Sequence, residues 1–387
     1  MNNKSFDLIV VGGGVLGTFH AYSAIQKGLR VAVIEKNTQP QGATVKNFGQ
    51  VVPSGMNTKW QNYGRESLAI YKEIQSKFDI SIRQNGTVYI ASNPEEVQLI
   101  EELYQINKFN NYTSQLLTKK QCLSKYASLC SSYCEAGLFF PEEVTVESRI
   151  MINRLHSFMK MNPNFELFTN EIVVDTQEIG NGVEVVTAKD NKFKAEKVII
   201  CNGSDFKALY PEIYDKSDLV VTKLQMLQTK AQKNYVLNGS ILTGLSIRRY
   251  EAFEECASWK NIKEKESSES LENKYGVHIL FKQATDGSII LGDSHEYADA
   301  KNMDDLGFDL NMDIDNFMIQ EAKKIFDLPT YEIQNRWFGM YSQCKNSDIF
   351  QYNVSPNVHI VTGIGGKGMT GSAGFSKDSI QKLINKK

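Results

Sequence analysis

Gly12, Gly14 and Gly17 follow an apolar run, residues 8–11, in the spacing G-x-G-x-x-G. That spacing suits a grip on a pyrophosphate. The first glycine permits a tight turn, the second lets phosphates approach the backbone, and the third lets a helix pack on the strand. The phosphates then meet free N–H groups at the helix N-terminus, where Val15 and Leu16 stand. Glu35 closes a second apolar run, residues 30–34. A carboxylate there accepts both hydroxyls of an adenosine ribose and repels a 2′-phosphate. The chemistry indicated is dinucleotide binding; Glu35 argues against NADP and leaves FAD and NAD.

To position those groups the chain must supply strand, turn, helix and strand in register. Leu16, Phe19, Tyr22 and Ile25 recur at helical spacing, and Gly28 stops the helix. Residues 57–78 read as a helix with Tyr63, Leu68, Tyr71 and Ile74 on its apolar stripe. Residues 80–92 alternate around Asn85-Gly86 and predict a hairpin, and 95–126 predict one amphipathic helix. A strand at 136–141 leads to a helix at 147–156, whose His156 reads as a packed or surface histidine rather than a ligand. Residues 172–175 and 183–187 predict paired strands, and 197–201 a buried strand of the nucleotide-binding sheet.

From about Val220 the texture turns to β, with strands at 222–229, 240–250, 277–283 and 288–292 and a turn at Asp286-Gly287. Residues 260–274 are rich in Lys, Glu and Ser without an apolar period, and predict a solvated loop, with a mobile lid over the site as the alternative. A helix at 315–326 and a strand at 331–341 precede a final strand, a second glycine turn and a helix. This order predicts an α/β fold. A discontinuous nucleotide-binding domain takes residues 1–80, 145–219 and 330–387, and a β-rich substrate domain takes 81–144 and 220–329.

The bulk properties exclude several function classes. The chain has 387 residues, 41% hydrophobic and 23% charged, which fits a globular protein of about two domains. A formal net charge of -2 gives no electrostatic case for nucleic acid or an anionic membrane. Residues 1–5 are short and polar, unlike a signal peptide, and no run approaches the roughly 18 apolar residues of a membrane helix. Cys122, Cys130, Cys134, Cys201, Cys256 and Cys344 form no C-x-x-C pair and no zinc-type spacing. No metal is expected, and a reducing cytoplasm suits the six thiols.

The late cluster Gly365-Gly366-Lys367-Gly368-Met369-Thr370 decides between the two cofactors. An NAD-linked dehydrogenase has no use for a second glycine turn there. A flavin does, because its ring system lies extended across the sheet and needs backbone donors at its pyrimidine edge. With Glu35, residues 42–49, Asn202-Gly203, Gly292-Asp293-Ser294 and 336–339, the chain resembles the D-amino acid oxidase superfamily, near glycine oxidase and sarcosine oxidase. Residues 47–50, 246–253 and 292–297 resemble a narrower bacterial clade, FAD-dependent oxidoreductases linked to aminophosphonates related to 2-aminoethylphosphonate.

The resemblance implies a Rossmann-type FAD-binding domain of the glutathione-reductase-like kind with an inserted mixed or antiparallel β-sheet domain. It puts the adenosine ribose on Glu35 and the adenine edge on the Val173 backbone. Asn47, Phe48, Gly49 and Gln50 would lie along the flavin, capped by Gly365, Gly366, Lys367, Gly368, Met369 and Thr370. Lys36, Thr44, Asn202, Gly203 and Gly339 complete the implied cofactor contacts. Sarcosine oxidase-like members attach flavin through a Cys; Gly339 stands at that place, so non-covalent FAD is expected.

Glycine oxidase-like members clamp a substrate carboxylate with an Arg two residues after the strand glycine. Here that place holds Tyr341, which cannot offer the guanidinium fork. A phosphonate dianion needs other cations. The candidates are Lys367, Arg248 and Arg249, with His278, His295 and Tyr341 beside them. Arg248 and Arg249, read as strand neighbours, face opposite sides, so at most one reaches a pocket. No acid–base pair stands out in the sequence.

The resulting expectation is an enzyme that removes a hydride from the carbon beside a neutral amine. It would deaminate or N-dealkylate a small amine, an aminophosphonate by the resemblance, and pass electrons to oxygen or another acceptor. An oxidase of glycine, sarcosine or a D-amino acid is the nearest alternative; an NAD-linked dehydrogenase and a non-catalytic flavoprotein stand further off. A homo-oligomer is compatible with this reading.

Overall fold

The structure, a computed structural model, describes residues 5–385; residues 1–4, part of the stretch read as too polar for a leader, lie outside it. Two large sheets organise the chain. The first runs in the order Phe350–Asn353, Val358–Thr362, Lys192–Ile200, Ser5–Val11, Val31–Glu35, Phe165–Thr169. Its four central pairings, from Val358–Thr362 across to Phe165–Thr169, are all parallel. The Val173–Ile179 and Gly182–Thr187 hairpin joins it along Lys192–Ile200.

From Leu8 to Val11 successive residues of the first strand bury to opposite faces, as the period of two requires. Leu8 and Val10 pack under the Val15–Gln26 helix, while Ile9 and Val11 pack with Val183 and Val185 of the hairpin. The helices Val15–Gln26, Thr58–Lys77 and Gly368–Asn385 share one apolar layer. Trp60 stacks on Phe375 at 5.6 Å, and Phe19 meets Tyr71 edge-on at 5.2 Å. Gly374 is required at this contact, because a Cβ there would lie 2.2 Å from the Tyr63 carbonyl.

The second sheet has nine strands, all antiparallel except for the parallel pair Ser240–Leu242 and Thr87–Ala91. Its long edge is Ile333–Cys344 against Leu219–Thr229. Residues 333–344, expected with the nucleotide-binding segments, therefore run in this sheet instead. No described helix is long and apolar enough to cross a membrane.

Four local expectations are corrected. Asn85-Gly86 joins no hairpin: Gly86, at φ +78°, carries the chain past Phe139, and Thr87–Ala91 pairs with Ala136–Phe140. The long helix at 95–126 divides into Pro94–Phe109, the strand Gln115–Thr118 and Lys119–Lys125. Asn111 at φ +53° ends the first part, and a Thr118–Gln121 capping box starts the last. The strand expected over 240–250 stops at Leu242, where Thr243 and Ser246 form a capping box and open the helical turn Gly244–Ile247. The loop expected over 260–274 holds most of the short helix Trp259–Lys263, with Ile262 buried, and the short helix Leu271–Lys274.

Candidate active site

Both glycine turns open into one cavity of about 550 Å³, walled by the carboxyl ends of the first sheet and by one face of the second. Gly12 takes φ +103°, and a Cβ on it would lie 2.3 Å from the Cys201 carbonyl. On Gly17 a Cβ would lie 2.1 Å from the Gly12 carbonyl, so helix and strand touch there. The backbone N–H of Val15 donates to Thr44 Oγ1 at 2.9 Å. The Glu35 carboxylate accepts from Gly13 N–H at 2.9 Å and Asn37 N–H at 3.0 Å, which fixes it at the cavity edge. Behind the turn, His156 Nε2 lies 2.9 Å from Thr18 Oγ1, whose hydroxyl donates to the Gly13 carbonyl at 3.0 Å. His156 is thus the packed histidine expected.

Gly14, Val15, Leu16, Lys36, Phe48, Gln50 and Val173 also line the cavity, as do Asn202, Gly203 and Gly339. The remote turn Gly365 to Thr370 lines its far part, with Gly365 at φ +67°. Asn47 lines the wall and builds its own loop, donating to the Ala43 and Thr44 carbonyls and accepting from Gly49 N–H. Gly17 and Gly49 do not line the cavity. They are packing glycines, the latter at φ +73° with a hypothetical Cβ 2.1 Å from the Val146 carbonyl.

Of the residues expected at the substrate end, His278, His295, Arg249, Tyr341 and Lys367 reach the cavity. Arg248 does not. It caps the Gly244–Ile247 turn and bonds Glu95, Glu96 and Glu266 at 3.0, 2.9 and 3.3 Å. The strand argument for the two arginines therefore fails, since neither lies on a strand. Lys367 is paired with Glu251 at 2.6 Å. Arg249 donates to the Gly276 carbonyl at 3.2 Å and the Tyr297 hydroxyl at 2.7 Å, and among the described residues no carboxylate is in direct ion-pair contact with it, although Asp293 feels its charge.

Sequence reasoning missed Asp293, Tyr250, Tyr297, Glu251 and Lys46, all on the cavity wall. Asp293 sits inside the Gly292-Asp293-Ser294 stretch already singled out, but nothing local marks it as a site residue. His278 Nε2 lies 2.6 Å from Asp293 Oδ1, and the His278 and His295 rings are 5.4 Å apart. His278, just before Leu280–Gln283, is thus brought against Asp293 and His295, just after Ile289–Gly292, by the pairing of those two strands. Burial pushes His295 down to about 3, against the pull of Asp293. Burial pushes Asp293 up, but His295, His278 and Arg249 outweigh it and hold the carboxyl below its ordinary value. Burial raises the Tyr341 and Tyr250 hydroxyls well above theirs. Burial, then Arg149, lowers Lys46.

The profile of the family described as FAD dependent oxidoreductase matches residues 7–380. The chain belongs to that family. A glycerol 3-phosphate dehydrogenase of Caloramator mitchellensis is 21% identical over 98% of this chain and 74% of its own length. An aerobic glycerol-3-phosphate dehydrogenase of Staphylococcus aureus is 22% identical over 52% of this chain, a match spanning only 39% of that protein. Among solved structures, L-proline dehydrogenase from P. horikoshii superposes with a TM-score of 0.79 at 18% identity, covering 99% of this chain and 94% of its own. Glycine oxidase from Geobacillus kaustophilus gives 0.75 at 16% identity, covering 99% and 95%. Reduced L-α-glycerophosphate oxidase from Mycoplasma pneumoniae, solved with FAD bound, gives 0.76 at 18%, covering 98% and 95%. These likenesses establish the fold, and family membership makes the cofactor FAD.

Proposed function

We propose that this oxidoreductase takes a hydride from the carbon beside the nitrogen of a small amine that carries a phosphonate dianion, a relative of 2-aminoethylphosphonate. One observation carries the reading. The place of a carboxylate-clamping Arg holds Tyr341, while Arg249 sits elsewhere on the wall with no carboxylate in direct ion-pair contact among the described residues. Arg249, the Tyr297 hydroxyl and the Tyr341 hydroxyl then offer donors to a tetrahedral anion rather than a planar fork. Lys367, considered earlier as an anion partner, is neutralised by Glu251.

When bound, FAD supplies the hydride acceptor and relays the electrons to oxygen or another acceptor. The chain's part is to hold the C–H bond toward the flavin and keep the amine uncharged. The burial that keeps His295 neutral on this wall acts equally on an amine bound there and favours its uncharged form. The apolar side chains of Leu224, Met226 and Leu280 keep water from the reacting carbon. The substrate leaves as an imine and hydrolyses to an aldehyde with ammonia, or with an alkylamine where nitrogen is substituted.

A second reading, oxidation of a phosphorylated alcohol, is favoured by the relatives named for glycerol 3-phosphate. Both readings share a phosphorus dianion. The test is anaerobic bleaching of the bound flavin by 2-aminoethylphosphonate, its N-methyl and hydroxyl derivatives, glycerol 3-phosphate, glycine, sarcosine and D-alanine. Fast bleaching is expected from an aminophosphonate. Bleaching by the amino acids alone, or by glycerol 3-phosphate alone, rejects the proposal.

A further inference from the structure

His278, Asp293 and His295 are all buried, and each offers a ligand atom within 4.8 Å of the other two. Two imidazoles and a carboxylate are the donor set of catalytic transition-metal sites, which keep positions open for water or substrate. The outer contacts fit as well. His278 Nδ1 lies 3.3 Å from Ser246 Oγ, and His295 Nδ1 lies 3.0 Å from the Gly276 carbonyl. A carbonyl only accepts, so Nδ1 of His295 carries the proton and Nε2 carries the lone pair. In His278 that contact is on the nitrogen away from Asp293, the usual arrangement of a metal-bound histidine, whereas His295 Nδ1 lies 3.9 Å from Asp293 Oδ1, so its ring must turn to present Nε2 to an ion.

Asp293 supplies the second observation. Its Oδ1 is buried with no aligned hydrogen-bond donor, although His278 Nε2 stands only 2.6 Å away. A cation between the two satisfies both atoms. With metal–ligand bonds of about 2.0–2.2 Å, tetrahedral ligands lie about 3.4 Å apart. The pair must then open by less than about 1 Å to admit an ion.

Charge points the same way. Arg248 is matched by three glutamates and Lys367 by Glu251, and at the cluster itself the charge of Asp293 is set against that of Arg249. Arg249 brings one positive charge to a substrate group that carries two negative ones. A divalent ion on the three ligands adds its own two positive charges.

We propose that His278, Asp293 and His295 bind a divalent transition-metal ion of the zinc class on the cavity wall, with its open positions toward the cavity. The site rests on the three side chains alone. Its use, taking an oxygen of the substrate dianion, rests on the phosphonate reading above.

The test uses tag-free, FAD-loaded protein stripped with a chelator, supplied with Zn²⁺ or Co²⁺, and freed of excess metal by gel filtration. The expected result is one metal per flavin, with cobalt d–d absorption to the red of the flavin bands. D293N and H295A should retain at most a tenth as much metal at unchanged flavin content. If one variant loses its flavin, H278Q is read in its place. No retained metal in the wild type, or equal retention in the variants, overturns the site. That measurement involves no substrate, so it is separate from failure of the phosphonate reading. Equal bleaching rates by an aminophosphonate with and without metal would overturn the anchoring role while leaving that reading intact.

Discussion

The guanidinium of Arg248 is held by Glu95, Glu96 and Glu266, whereas Arg249 bonds only a carbonyl and a tyrosine hydroxyl among the described residues. Substitutions should separate the two. R249A removes a charged donor from the cavity and should lower kcat/KM for the anionic substrate by about 10–100-fold, corresponding to about 1.5–3 kcal/mol. Flavin content and melting temperature should stay near wild type. R248A should leave the chemistry nearly unchanged and destabilise the fold by about 3 kcal/mol, because the buried Glu96 loses its counter-charge and keeps only the two Ser92 donors. Steady-state kinetics and thermal unfolding read both. Equal kinetic losses in the two variants would contradict the assignment. In the sequence the two arginines were indistinguishable. What separates them is the Thr243–Ser246 capping box, which ends the strand and turns the chain before they are reached.

Elements decide how much of the site could be read in advance. The strand–turn–helix at residues 5–26 was legible because every local signal agreed: apolar run, glycine spacing and helical stripe. G12A tests that turn. A side chain at φ +103°, 2.3 Å from a backbone carbonyl, should reduce bound FAD to below about a tenth of wild type. G28A meets nothing within 4 Å and should keep its flavin, losing about 1 kcal/mol of stability to its positive φ. Visible absorbance per chain checks both.

The same layer carries a pH response. His20 and His156 are both lowered to about 4, chiefly by burial. A histidine depressed on folding contributes stability that is complete above its unfolded value near 6.5 and is lost as pH falls through 4. Each should account for on the order of 3 kcal/mol across that window. H156Q, which retains a polar group beside Thr18, should show a shallower loss of stability between pH 6.5 and 4 than wild type. An unchanged slope would contradict the buried neutral state. By contrast, the His278, Asp293 and His295 cluster was legible only in part: the two histidines and the turn pairing their strands were expected, and Asp293 was not. Its members come from two chain segments that meet only through the pairing of Leu280–Gln283 with Ile289–Gly292.

Across the whole molecule, the two glycine turns lie more than 340 residues apart in sequence and wall the same cavity. The parallel strands explain how. Val358–Thr362 pairs with Lys192–Ile200, which pairs with Ser5–Val11, so the last strand delivers its turn to the same sheet edge as the first. That closure was legible as two glycine motifs. The membership of residues 333–344 was not, because an amphipathic strand carries no mark of which sheet it joins. The second sheet contributes Leu224, Met226, Leu280 and Tyr341 to the cavity, the end at which the proposed aminophosphonate would bind.

The most direct measurement is the anaerobic rate of flavin reduction by the best aminophosphonate against its carboxylate analogue of equal chain length. The amine is constant in that pair and only the anion changes. The phosphonate should be preferred by about a hundredfold in the second-order rate constant, close to 3 kcal/mol in the transition state. Equal rates, or a preference for the carboxylate, would contradict the account.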